Sequence, residues 1–197
     1  MDEKTFQEQN TTIQRKTICV NLIGAPGSGK STGAAYIFAK LKMQGINCEL
    51  VVEYAKDRVW QNDLEVFRNQ FYVTAKQSQR MARLQNKVDI IVTDSPLLMA
   101  AYYAKDKPYY KPYVEVLQHL HNEYLNINCL IKRVKPYNPK GRFQDEAGSD
   151  AMQSEFIEMY AKEFGVTLDD FKGNEKGYNE IIKGVLECHQ KEFINFN

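Results

Sequence analysis

The residues Gly24-Ala25-Pro26-Gly27-Ser28-Gly29-Lys30-Ser31 satisfy G-x-x-x-x-G-K-[ST] at each fixed position. The chemistry this spacing serves is phosphate binding. Its glycines let successive backbone N–H groups curl around an anion, and the helix N-terminus behind them adds a favourable dipole. The lysine reaches the β- and γ-phosphates of a nucleoside triphosphate, and the hydroxyl that follows ligates Mg2+. Those roles fall to Lys30 and Ser31, while Gly24, Ala25, Pro26, Gly27, Ser28, Gly29 and Thr32 complete the binding loop. ATP and Mg2+ are the expected cofactors.

Three further groups of residues could act on a bound triphosphate. Asp94 ends the run Val88-Asp89-Ile90-Ile91-Val92-Thr93, the Walker B arrangement, where a carboxylate holds the Mg2+ shell. The alternative for Asp94 is a turn or cap residue. Glu53 closes Cys48-Glu49-Leu50-Val51-Val52, with Asp57 four residues on. An acid there can take the proton of an acceptor hydroxyl as the phosphoryl group arrives, and a salt bridge is the plainer alternative. The segment Lys132-Arg133-Val134-Lys135-Pro136-Tyr137-Asn138-Pro139-Lys140-Gly141-Arg142 carries five basic residues and no acid. Small-molecule kinases place a lid in such a loop, and Arg133 and Arg142 are its candidate phosphate clamps, against a solvated basic loop as the alternative.

For these residues to converge, strands and helices must alternate around a sheet whose carboxyl edge carries the site. The pattern predicts a strand over Thr17–Ile23 and a helix from the glycine loop to about Gln44, capped by Gly45. Further strands are expected over Cys48–Tyr54, Val88–Asp94, Ile127–Val134 and, more weakly, Val166–Phe171. Helices are expected over Leu64–Gln85, Tyr113–Tyr124, Ser149–Glu163 and Glu175–Glu187. The fold class implied is α/β: a P-loop NTPase three-layer sandwich with a mainly parallel five-stranded sheet and a lid loop. Residues 1–12 read as a flexible polar tail and 13–197 as one P-loop domain.

Composition sets the surroundings. With 43% hydrophobic and 26% charged residues the chain has ordinary globular composition. No apolar run approaches the ~20 residues of a membrane span, and the N-terminus lacks a signal-peptide core, so no membrane partner and a cytoplasmic location are expected. Cys19, Cys48, Cys129 and Cys188 are far apart and read as reduced, three of them within strand-like apolar runs. The net charge of +1 conceals an imbalance: Tyr54–Arg142 holds 15 basic against 8 acidic residues, and Phe143–Asn197 holds 12 acidic against 5 basic. A basic middle suits a phosphate-rich substrate, nucleic acid included.

Other features read more plainly. His119 and His121 face different sides of a helix and suggest surface positions. The tyrosines Tyr102, Tyr103, Tyr109, Tyr110 and Tyr113 read as packing residues sooner than as a base-stacking platform. Gln70, Gln77, Arg80 and Arg83 share helical spacing and either line an acceptor pocket or form a solvated face.

The segments GAPGSGKST, VVEYAKD, FRNQFYVTAKQSQRMARL, VDIIVTDSPLL and IKRVKPYNPKGRFQ together resemble phage-encoded P-loop kinases of the thymidylate-kinase-like group, across about residues 17–190. Within that group the chain is most similar to the 5-hydroxymethyluracil DNA kinases of thymidine-hypermodification pathways. The resemblance implies phosphoryl transfer from ATP to a nucleotide or DNA acceptor, foremost the hydroxymethyl group of 5-hydroxymethyluracil in DNA. Thymidylate kinases carry Asp-Arg after the third strand, whereas this chain has Asp94-Ser95-Pro96. Without that arginine, a free monophosphate loses a group that would hold its phosphate. A deoxynucleoside monophosphate kinase remains the nearest alternative, and a P-loop ATPase or nucleotide-dependent binding module a more distant one.

Overall fold

The alternating segments form a three-layer α/β sandwich in the computed structural model, which describes residues 15–138 and 145–194. Its strands are β1 (Ile18–Ile23), β2 (Cys48–Val51), β3 (Ile90–Thr93), β4 (Leu125–Lys132) and β5 (Asp169–Lys172). Its helices are α1 (Lys30–Met43), α2 (Tyr54–Trp60), α3 (Gln70–Ala82), α4 (Tyr110–Asn122), α5 (Glu146–Phe164) and α6 (Glu175–His189). The sheet order is β2-β3-β1-β4-β5, and every neighbouring pair is parallel. Parallel strands need crossovers, and the helices that make them cover both faces. That is why central β1, ICVNLI, is buried at all six positions instead of alternating.

The pleat divides the core in two. Ile18, Val20 and Leu22 point to one face, against Ile37 and Leu41 of α1 and Ile181 and Val185 of α6. Cys19 and Ile23 point to the other, where Met81 of α3, Leu117 of α4 and Phe156 of α5 close the layer. Asn21 is the exception among the apolar strand residues. Its Nδ2 lies 2.9 Å from Asn126 Oδ1 and 3.1 Å from Asn128 Oδ1 on β4, so the buried amide is paired instead of stranded. Cys19, Cys48 and Cys129 are core residues as their setting suggested; burial pushes the Cys48 thiol up to about 11 and the Cys129 thiol up to about 12.

Several boundaries differ from the sequence reading, each for a local reason. The second strand stops at Val51 and not at Tyr54, because α2 begins at Tyr54. The stretch Leu64–Gln85 is not one helix. A 3-10 turn, Glu65–Arg68, is followed by Asn69 in extended backbone, whose side chain caps α3 by accepting from Tyr72 N at 3.2 Å. A further 3-10 segment, Leu97–Ala104, follows Pro96. His121 is a correction: it shares the buried stripe Tyr113, Val114 and Leu117 of α4, while His119 faces solvent. Burial there lowers its pKa to about 4. The tail Met1–Thr12 and the segment 139–144, which contains Lys140, Gly141 and Arg142, lie outside the described residues. No helix among the described residues is long and apolar enough to cross a membrane.

Candidate active site

Register assembles the site. Val51 pairs with Thr93 and Thr93 with Asn21, so the residues that follow emerge together at the carboxyl edge of the sheet. They are Glu53 after β2, Asp94 after β3 and the glycine loop after β1. On the other side Leu130 pairs with Ile23, which carries Arg133 and, through β5, Gly173 to the same edge. This is where an open α/β sheet reverses its strand order and binds ligands.

The loop runs from Gly24 into α1, which starts at Lys30 itself. Gly29 takes φ +108, and a Cβ there would also meet Tyr178 Oη at 2.6 Å, so both backbone and space call for glycine. Tyr178, from α6, donates its hydroxyl to Gly29 O at 2.9 Å. Gly173 packs its Cα side against the Ser28 carbonyl, leaving no room for a side chain. Helix α5 supports the first half of the loop: Ser149 Oγ donates to Pro26 O at 2.8 Å, and Ala25 N donates to Gln153 Oε1 at 2.6 Å. Lys30 Nζ donates back to Gly24 O and, at 3.2 Å, to Ala25 O. Buried Ser28 Oγ has no hydrogen-bond partner among the described residues.

The acidic residues sit beside this loop. Asp94 is 4% exposed, and its Oδ1 accepts from Glu53 N at 3.2 Å. Glu53 occupies the N-cap of α2 without using its side chain as the cap. Its half-buried carboxylate interacts with both Lys30 and Asp94. Burial raises its pKa most, the Lys30 ammonium opposes that, and the Asp94 charge raises it further. Asp57 is differently placed: its carboxylate is ion-paired to Arg80 Nη2 at 2.5 Å. Arg80 also donates to Val52 O at 3.1 Å and lies over the Tyr54 ring. Gln77 accepts from Tyr54 N at 2.9 Å and donates to Ser95 O at 3.3 Å. Gln77 and Arg80 therefore brace the backbone on either side of Glu53 and behind Asp94. Arg83 stands apart, past the end of α3 that leads into β3 and so at the opposite edge of the sheet.

Arg133 is engaged. Its guanidinium contacts Glu146 at 3.2 Å and Asp150 at 2.5 Å, both on the first turns of α5, and lies over the Tyr137 ring. Among the tyrosines, Tyr113 is buried and bonded to Thr74, and Tyr102 packs edge-on against Phe156. Tyr103 is 48% exposed and close enough to Glu53 for the carboxylate's charge to bear on its hydroxyl.

Neither Ser149, Gln153 nor Tyr178 stands out in the sequence. Ser149 and Gln153 lie in an ordinary helical pattern, and only their i, i+4 spacing places both on the face that meets the loop.

The donor set suits a hard cation. Mg2+ keeps several waters and takes one or two protein oxygens besides phosphates, so a serine hydroxyl such as Ser31 and a carboxylate such as Asp94 would be enough to hold it. A cage of protein ligands is not required, and among the described residues no group of three or more His, Cys, Asp or Glu side chains could form one.

A parallel 2-3-1-4-5 sheet with this loop after its central strand defines a P-loop α/β domain. The chain belongs to the AAA domain family, whose model matches residues 19–175. No curated protein sequence matches it. Among solved structures, the deoxyadenosine kinase from M. mycoides with bound dATP aligns at TM-score 0.54 and 19% identity, over 86% of this chain and 99% of that one. Thymidylate kinase from Candida albicans aligns at TM-score 0.51 and 13% identity, over 89% and 92%. Their likeness is one of fold: helices on both faces of a parallel five-stranded sheet, as in nucleotide kinases.

Proposed function

We propose that this protein is an ATP-dependent P-loop kinase that transfers the γ-phosphoryl group to a hydroxyl of a nucleoside-type or nucleotide-type acceptor. One observation carries the reading: the half-buried Glu53 carboxylate, of raised proton affinity, interacts with Lys30 of the phosphate loop and with Asp94. A carboxylate in that position would face an acceptor hydroxyl approaching the γ-phosphate. The new bond joins the acceptor oxygen to phosphorus, the bond to the β,γ-bridging oxygen breaks, ADP leaves, and the proton goes to Glu53.

Lys30 would exchange the Gly24 and Ala25 carbonyls for the β- and γ-phosphates. Ser31 and Asp94 would hold Mg2+, whose charge would offset that of the triphosphate. Loop N–H groups would hold the triphosphate in line, and such positioning and charge stabilisation dominate phosphoryl transfer. Arg133 would join as a clamp only on leaving Glu146 and Asp150, and Arg142 is its proposed companion.

The solved neighbours act on deoxyadenosine and thymidylate, which supports a deoxynucleoside or its monophosphate as acceptor. A second reading, the hydroxymethyl group of 5-hydroxymethyluracil in DNA, draws on two observations. Asp94 is followed by Ser95 and not by an arginine, and Arg58, Arg68 and Arg80 are already ion-paired to Asp63, Glu65 and Asp57. These three arginines are committed elsewhere, which leaves the exposed Lys56, whose charge bears on Glu53, to meet an acceptor's own phosphate. On α2, α3 and the segment after β3, Trp60, Phe71, Tyr72 and Tyr103 are exposed rings that a base can lie against. Labelled ATP offered with deoxynucleosides, monophosphates, plain DNA and hydroxymethylated DNA tests both. Label on a hydroxyl of any of them supports the kinase reading and names the acceptor; label released only as inorganic phosphate refutes it in favour of an ATPase.

A further inference from the structure

We infer that Gln153 and Ser149 are positioning residues for the phosphate loop, and that Arg133 acts on the loop through the helix that carries them. The inference rests on the reading of this loop as an ATP site.

The dipeptide Gly24-Ala25 is held from two sides. Lys30 grips its two carbonyls, and Gln153 accepts from the Ala25 N–H. When Lys30 moves to a triphosphate both carbonyls lose its ammonium, and Ala25 O keeps the Ser28 N–H at 3.2 Å. The first half of the loop is then fixed by α5: Gln153 on Ala25, and Ser149, 2% exposed, on Pro26 O. Gln153 is itself oriented, its Nε2 donating at 3.4 Å to Ile131 O near the end of β4. One amide thus ties the ends of β1 and β4 together beneath the phosphate position.

Arg133 grips the same two turns of α5. Its partners Glu146 and Asp150 are four residues apart, and Asp150 directly follows Ser149. Asp145 caps this end of the helix by accepting from Gly148 N at 2.8 Å, so the turns form one rigid unit. A triphosphate that attracts Arg133 would draw it from these carboxylates and leave the Asp145 cap, with the Ser149 and Gln153 bonds, to hold these turns against the loop. Loop geometry and the engagement of Arg133 are therefore linked.

Calorimetric titration of the full chain with ATP and with inorganic tripolyphosphate tests this, using wild type, Gln153→Ala, Ser149→Ala, Arg133→Ala and the Arg133→Ala/Gln153→Ala double variant. Gln153→Ala should weaken both ligands about tenfold, the equivalent of one well-placed hydrogen bond. Ser149→Ala should weaken them several-fold and serves if Gln153→Ala fails to fold. The double variant should lose less than the product of the two single losses. A merely structural role would lower the thermal midpoint and leave both dissociation constants in place. Constants within twofold of wild type in both α5 variants, or fully multiplicative Arg133 and Gln153 effects, overturn the inference while wild-type ATP binding leaves the site reading intact. A wild type that binds neither ligand overturns both.

Discussion

A carboxylate half withdrawn from water, beside a lysine and a second carboxylate, feels opposed influences on its proton. At Glu53 burial prevails and the pKa rises. Since the folded state holds that proton more tightly than the unfolded chain, Glu53 lowers stability as pH climbs from the ordinary value through the raised one. Activity runs the other way, because a base must be ionised. The rate should fall as pH drops through the raised value, giving an acid limb above the usual carboxylate range. Glu53→Gln should remove that limb and slow transfer by about 10²-fold, the low end for general bases, because positioning dominates this chemistry. A pH profile of kcat for both proteins checks it, and an unchanged limb in Glu53→Gln rules out the assignment. Asp57 is a poor substitute, being paired to Arg80. The sequence marked Glu53 by its place after an apolar run, but could not assign Arg80 and Gln77 as its braces. Those contacts cross from α3 to the backbone around β2 and β3, and no periodicity encodes them.

At the scale of elements, legibility followed local physics. The loop and α1 were legible because glycine, lysine and an apolar helix face lie in one continuous run. So was β1, as an apolar segment feeding that loop, although its burial on both faces depends on the crossovers. The break before α3 was harder to see: Asn69 is one polar residue among many between Leu64 and Gln85, and its capping role depends on its extended backbone. Asn69→Ala should accordingly cost about 1 kcal/mol, seen in urea unfolding as a lower midpoint with unchanged slope. A variant as stable as wild type would mean that tertiary packing, and not the cap, sets the start of α3. The buried stripe that takes in His121 was legible in principle, since Tyr113, Val114, Leu117 and His121 follow a helical period.

Across the whole molecule, His121 couples stability to acid. It stays neutral when folded, with its pKa lowered to about 4 from an ordinary 6.5. Between those values the unfolded chain takes up the proton and the folded chain does not. Stability is therefore lost as pH falls from about 6.5 towards 4, by about 3 kcal/mol from this group in the limit. His121→Gln should flatten the pH dependence of unfolding over that window, and an equally steep decline would assign it to other groups. The sandwich itself serves the carboxyl edge of the sheet, where the glycine loop, the two acids and Arg133 meet. As a kinase site, this edge would pass phosphate to a hydroxyl instead of to water. Counting ADP formed against phosphate ester formed, with γ-labelled ATP and the acceptor panel, tests this most directly. With the acceptor it uses, the protein should make one ester per ADP, and Lys30→Ala should lower that rate by ~10²–10³-fold while remaining folded. ADP produced with all of the label in inorganic phosphate, whichever acceptor is present, would contradict it.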